Sequence, residues 1–309
     1  MRRNIFRLVA LIIALCAVHG AEALSPAEQL NLSRAFTLAE TASPEQLRQA
    51  VAEGVNFNVQ RYPDFDSDDP YFGYDDDYEF EYMTPLHAAA IKNPNPESIK
   101  YLLSLGLYVN ASASAGNTVH DTPLTCAIRN RNNIQVVHAL LNAGADPEVW
   151  NSGNNYSALH LAASVCRSYP YAKAVIDALI RAGVDINSHY TPTHEEMDDF
   201  RTNQDPSEFK IHWSRFYPFG DSVSSLAHVS RDFFLSTFTP LMYAVLFNNP
   251  DAVNILLDVG ADPNIRSLEG KTALDYAKMQ PKNTKLRLSD AFIRLQNVSR
   301  RTKTPQTRK

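Results

Sequence analysis

One six-residue phrase recurs along the chain and constrains its fold more than any other feature. It reads Thr84-Pro85-Leu86-His87-Ala88-Ala89, then Thr122-Pro123-Leu124-Thr125-Cys126-Ala127, Ser157-Ala158-Leu159-His160-Leu161-Ala162, Thr239-Pro240-Leu241-Met242-Tyr243-Ala244 and Thr272-Ala273-Leu274-Asp275-Tyr276-Ala277. The copies start 38, 35, 82 and 33 residues apart. A unit of about 33 residues therefore repeats with one long interruption. A second phrase, Leu-Leu or Leu-Ile followed by Gly and then Asp or Asn, trails the first four copies at Gly106, Gly144, Gly183 and Gly260, and an extra copy at Gly54 precedes them all. The spacing inside a unit is kept: Thr84 to Gly106 and Thr122 to Gly144 each span 22 residues.

Each piece of the unit has a physical task. Thr or Ser caps a helix whose next position is Pro, where a missing N–H costs nothing. Leu and Ala then make a slim helix that neighbours can approach closely. The Leu-Leu pair buries a second helix, a Gly in the left-handed conformation ends it, and Asp/Asn-Pro or Asp-Ile-Asn turns the chain into a loop. Six units follow: an opening one over 26–58, four central ones starting near Met83, Asp121, Tyr156 and Phe238, and a closing one over 270–295. End units of a stack face water on one side, which suits the polar Lys282, Lys285, Arg287 and Asp290 of the closing unit, expected here in its second helix.

In these two ordered phrases the chain resembles the ankyrin-repeat family. The resemblance covers roughly residues 28–296 and implies an all-α solenoid of about six helix-turn-helix units with two loop insertions, presenting a concave face that binds proteins. It also implies a structural role for His87 and His160, hydrogen-bonded to neighbouring loops.

The distance from each Gly to the next phrase locates the extra residues. It is 13 from Gly144 and 12 from Gly260, but 30 from Gly54 and 56 from Gly183. The two insertions, 59–82 and 188–237, start at the same point of their units, so they can form two walls of one site. Long loops of this kind in a compact domain are commonly functional. The first carries nine Asp/Glu against Arg61 alone, interleaved with eight aromatic residues. An acidic run by itself is a solvated loop, whereas Tyr and Phe supply stiff contact area suited to an interface. The partner-binding residues expected are Asp68, Asp69, Tyr71, Tyr74, Asp75, Asp76, Asp77 and Tyr78, with Trp213 and Tyr217 from the second insertion, and the partner expected is a protein with a basic surface. In that second insertion Phe209, Trp213 and Phe216, then Leu226, Val229 and Phe233, have the spacing of two short amphipathic helices.

Catalytic and metal motifs compete poorly. Asp64, Asp66 and Asp68 have the opening spacing of a calcium loop, but Asp69 stands where Gly is needed and Asp75 where a bidentate Glu is needed. His194-Glu195-Glu196-Met197-Asp198 lacks the second His of a zinc-protease helix. No phosphate loop or nucleophile elbow occurs, so neither cofactor nor metal is expected; the alternative function is a divergent metal-dependent enzyme or calcium-binding protein using the insertions. A net charge of −5 provides no basic field for nucleic acid.

The first residues read as a secretory signal over 1–23: Arg2, Arg3 and Arg7, an apolar run from Leu8 to Val18, then Ala21-Glu22-Ala23. That run is too short to cross a bilayer core, so no stable membrane insertion is expected after cleavage. The mature chain would carry −7, with the repeats over 24–297 and a basic tail over 298–309. Localisation is then periplasmic or secreted, and the function a non-catalytic interaction module such as an inhibitor, an immunity protein or an escort for another exported protein. Cys126 and Cys166 sit at different offsets in adjacent units, too far apart for a disulfide.

Overall fold

The computed structural model describes residues 25–60, 83–113, 121–130, 133–148, 157–189 and 237–301. Residues 1–24 and 302–309, with the expected signal and most of the tail, lie outside them, as do most of both insertions. Twelve α-helices and no strand longer than an isolated bridge are found among the described residues. They pair as α1 (Pro26–Thr41) and α2 (Pro44–Ala52), α3 (Pro85–Lys92) and α4 (Pro96–Ser104), α5 (Pro123–Arg129) and α6 (Ile134–Asn142), α7 (Ala158–Val165) and α8 (Tyr169–Arg181), α9 (Pro240–Leu246) and α10 (Pro250–Asp258), α11 (Ala273–Met279) and α12 (Asp290–Arg301). The fold is the expected all-α solenoid of six helix pairs.

The pairs stack as two rows. First helices pack in the order α1, α3, α5, α7, α9, α11 and second helices in the order α2, α4, α6, α8, α10, α12. Neither insertion breaks a row: α1 meets α3 across residues 61–82, and α7 meets α9 across 190–236. One apolar core runs from Ala35 to Leu295. Alanines along the first row (Ala89, Ala127, Ala162 and Ala244, all fully buried) keep that row slim.

Local chemistry explains the element ends. Thr122, Thr239 and Thr272 accept from the backbone N–H three residues on, each at 3.3 Å. Where His stands at that third position the cap changes. The hydroxyls of Thr84 and Ser157 instead bond His Nδ1, at 2.8 and 2.9 Å. Each of the five Gly residues that follow a second helix has a positive φ, 98° at Gly260, where an added Cβ would meet open space. Glycine is used there for backbone freedom, not for closeness.

The closing unit departs from expectation in one respect. Its second helix begins only at Asp290, and Lys282, Lys285 and Arg287 lie in turns before it. Pro281 has no N–H to continue a helix, the Thr284 N–H closes a turn on the Pro281 carbonyl, and the Leu286 N–H is drawn to Asn248 Oδ1 at 2.6 Å. Asn248 holds a left-handed conformation (φ 54°) to make that bond.

Candidate functional site

The described residues end at the feet of both insertions, which shows how such segments are mounted on an intact stack. At the second insertion the chain leaves through Ser188 and His189 and returns through Thr237 and Phe238, which are buried. His160 sits under this gap. Its Nδ1 accepts the Ser157 N–H at 3.1 Å, which leaves Nε2 protonated to donate to the Phe238 carbonyl at 2.9 Å. The Ser188 carbonyl lies against the same ring and favours its charged form. One imidazole therefore sits between the departing and the returning segment and is bonded to the returning one.

His87 makes the same clamp on a much shorter loop. Nδ1 accepts the Thr84 N–H at 3.2 Å, and Nε2 faces the carbonyls of Ala111 and Asp121, both at 3.1 Å. The Ala113 N–H adds a bond to the Asp121 carbonyl at 2.7 Å. The structural role implied for both histidines thus takes a specific form: they close the base of whatever chain lies between, over 112–120 in one case and 189–237 in the other. Burial pushes both imidazoles down to about 4, opposed by the accepting carbonyls, so both rings are neutral at pH 7.

Among the described residues no histidine lies beneath the first insertion, and the opening unit lacks the Thr-x-x-His phrase. Its ends are gathered by a small apolar cluster instead: Met83, the first residue past it, packs with Phe36, Ala88 and Ala113, and Val59 packs against the same group. Below, Asn93 Nδ2 donates to the carbonyls of Ala39 and Ala42 at 3.0 and 3.1 Å, and Ser98 donates to that of Ala42 at 2.8 Å. Asn249 repeats this cross-unit bond under the second insertion, to Ala163 and Cys166 at 2.9 and 3.0 Å.

A ladder along the loop tips links the later units. Asn110 Oδ1 accepts the Asp146 N–H at 2.8 Å, Glu148 that of Asp185 at 3.3 Å, and Asn187 that of Asp262 at 2.9 Å, so the last rung crosses the second insertion. Glu148 stands where the other rungs have Asn, and its partial burial raises its carboxyl above the usual range. No rung joins Asn58, the equivalent residue, to Tyr108 across the first insertion.

The expected partner-binding residues Asp68, Asp69, Tyr71, Tyr74, Asp75, Asp76, Asp77, Tyr78, Trp213 and Tyr217 lie outside the described residues, as do the paired-helix stripes and the calcium-like and zinc-like runs. The helices that precede and follow the second insertion are described. Helices α7 and α9 are buried around their circumference, over Ala158–Ser164 and Pro240–Leu246. Rings continue this seal: Tyr243 meets His160 edge-on at 5.1 Å, and Phe238 lies 4.7 Å from Tyr276. Cys126 and Cys166 are buried and not joined in a disulfide, and burial raises the Cys126 thiol well above its ordinary value. Among the described residues no group of three or more His, Cys, Asp or Glu is placed to hold a metal ion, and no helix is long and apolar enough to cross a membrane.

Sequence reasoning missed the two clamps' targets, the Asn93 and Asn249 cross-links and the ion pair of Asp121 with Arg129, whose guanidinium donates to both carboxylate oxygens at 3.1 and 3.2 Å. A signal existed for the cross-links, since Asn follows the phrase's Thr by nine or ten residues in both cases.

Comparison with known proteins bears on the repeats. Family models described as "Ankyrin repeats (3 copies)" and "Ankyrin repeats (many copies)" match residues 47–151 and 231–277. The putative palmitoyltransferase ZDHHC13 of Danio rerio is 30% identical over 198 residues, covering 64% of this chain and 28% of that protein. Palmitoyltransferase ZDHHC13 of Mus musculus is 31% identical over 204 residues (66% and 29%), and the mitochondrial disaggregase of Homo sapiens 33% over 204 (65% and 26%). The chain thus spans under a third of the length of these relatives.

Proposed function

We infer, from the premise that this chain carries ankyrin repeats in an all-α solenoid, that it is a non-catalytic module that grips another protein with its two insertions in an exported compartment. Ankyrin repeats support protein binding in general. The finer reading, an inhibitor, immunity protein or escort acting on a partner with a basic surface, is supported by one observation above all: both insertions are mounted on closed bases at the same register of the stack. A partner held between them meets insertions and loop tips. The first-row faces of α7 and α9 are already buried and offer it little. The acidic and aromatic composition of 59–82 suits a basic surface, with charge acting on encounter and partner choice and buried rings on the lifetime of the complex. The signal-like residues 1–23 support export.

The test begins with capture of the partner from the native compartment and then uses deletion of residues 61–82, which keeps Val59 and Met83 in their cluster. The deletion variant is expected to melt as the parent does and to lose partner affinity. Asp75→Asn, Asp76→Asn and Asp77→Asn together are expected to slow association and flatten its salt dependence. Tyr74→Ala and Tyr78→Ala are expected to speed dissociation, by about 1–2 kcal/mol for each ring that anchors the complex. A folded deletion variant with unchanged affinity would remove the insertion from the site.

A further inference from the structure

The charge of this chain is divided sharply by position. From Lys278 to Lys309 there are ten Lys/Arg and one acid, Asp290, a net of +9 in a chain whose total is −5. Much of that excess sits on the closing unit, which among the described residues packs on one side: α11 on α9 and α12 on α10. Lys278, Lys282, Lys285 and Arg300 are exposed, and no carboxylate among the described residues pairs with any of them. Arg294, by contrast, is engaged by Asp258 and the Asn254 carbonyl, and Arg287 lies over the Phe292 ring at 4.2 Å. Among these cations stand three apolar side chains in water: Leu288 is 75% exposed, Ile293 59% and Met279 42%.

Lone exposed apolar residues are ordinary, but three between residues 278 and 300, interspersed with unpaired cations, make a surface for an acidic and apolar partner. The aliphatic groups argue against a nucleic-acid backbone, which would use the charges alone. The chain itself carries the complement. Segment 59–82 has a net charge of −8 and eight aromatic rings, and rings suit both Lys/Arg and aliphatic neighbours. It leaves the stack between the first two units, at the opposite end from the closing unit.

We propose that the closing unit is a docking surface for the acidic, aromatic segment 59–82 of a second copy of this chain. The contact is head-to-tail and heterologous, so each copy keeps one free donor and one free acceptor, and association grows with concentration. It goes beyond a grip on a foreign protein and uses surface which that reading leaves free. It shares with that reading only the acidic segment.

The test is sedimentation velocity of the full chain over a range of concentrations, at low and at high salt. Wild type is expected to self-associate, with an apparent dissociation constant at least about tenfold weaker at ~0.5 M than at ~0.02 M salt, because the Debye length shrinks several-fold. The variant Lys278→Glu/Lys282→Glu/Lys285→Glu/Arg300→Glu is expected to remain monomeric, and so is a variant with Asp75, Asp76 and Asp77 changed to Asn. Mixed in equal amounts, the two should form a dimer that grows no further, since one supplies the segment and the other the basic unit. Should the fourfold variant lose its native melting transition, synthetic peptide 59–82 added to wild type provides the second measurement and must dissociate the oligomer. Monomeric wild type at low salt, undiminished association in either variant, or a mixture that forms no dimer overturns the proposal. So does binding of monomeric wild type to phosphatidylserine vesicles that the fourfold variant loses, which would assign the basic unit to an anionic membrane. Loss of foreign-partner binding on deleting 61–82, with the fourfold variant still holding that partner, tells the two readings apart.

Discussion

The two insertions are mounted by different physics. Under the first, the returning Met83 and the departing Val59 share an apolar cluster with Phe36, a junction held by area removed from water and by the Asn93 cross-link below it. Under the second, a buried imidazole sits between the two segments and bonds the returning one, a loop-tip rung from Asn187 spans the gap, and Phe238 and Tyr243 pack rings around the clamp. The longer insertion has the more directional base. A clamp that reads only two carbonyls is indifferent to the length between them, which is why His87 over a short loop and His160 over a long one look alike. An apolar cluster tolerates sliding; hydrogen bonds to buried carbonyls do not.

Acid should separate the two bases most strongly. His87 and His160 titrate near 6.5 when unfolded but only at about 4 in the fold. Between those values the unfolded chain binds protons that the folded chain refuses, so stability is full above pH 6.5 and falls as pH drops toward 4. The loss should reach about 3 kcal/mol for each histidine. Urea midpoints measured from pH 7.5 to 4.5 should fall steeply, and His160→Gln should remove about half of the slope. An unchanged slope in that variant would show that the ring is not the sensor.

At pH 7.5, His160→Ala should cost about 2–3 kcal/mol, since it strands the buried Phe238 carbonyl and the Ser157 cap. Met83→Ala should cost about 2 kcal/mol by truncation and be equally damaging at pH 5.5 and 7.5, because the described residues of that base are apolar. Denaturant unfolding at both pH values checks this; a Met83 effect that varies with pH would erase the contrast. The smallest effect belongs to the tips. Asn187→Ala should cost about 1 kcal/mol through the lost rung, and Asn58→Ala, which has no partner across its insertion, under about 0.5 kcal/mol. Equal costs at the two positions would mean that the ladder contributes nothing across the second gap.

Much of this molecule follows from short-range chemistry. Unit boundaries, the capping Thr and Ser, the left-handed Gly after each second helix and the buried Leu pairs all depend on residues within one helix turn, and a repeating phrase reports them directly. The reading slipped where a local breaker outweighed composition, at Pro281, which delays the last helix to Asp290. The acids and rings of 59–82, proposed above to meet a partner, are legible only as composition, since no spacing there implies an element to hold them.

What the tertiary structure alone decided is who meets whom across the interruptions. The His160 phrase announces a cap, yet its second nitrogen selects Phe238, 78 residues on, because α7 and α9 stack as if nothing lay between them. Asn93 and Asn249 reach carbonyls of the preceding unit for the same reason. Sequence determines the face each unit presents, because that face is set by local periodicity. The pairing of faces is settled by burial over the whole stack, which a loop of any length can join at an entropic cost that grows only slowly with its length.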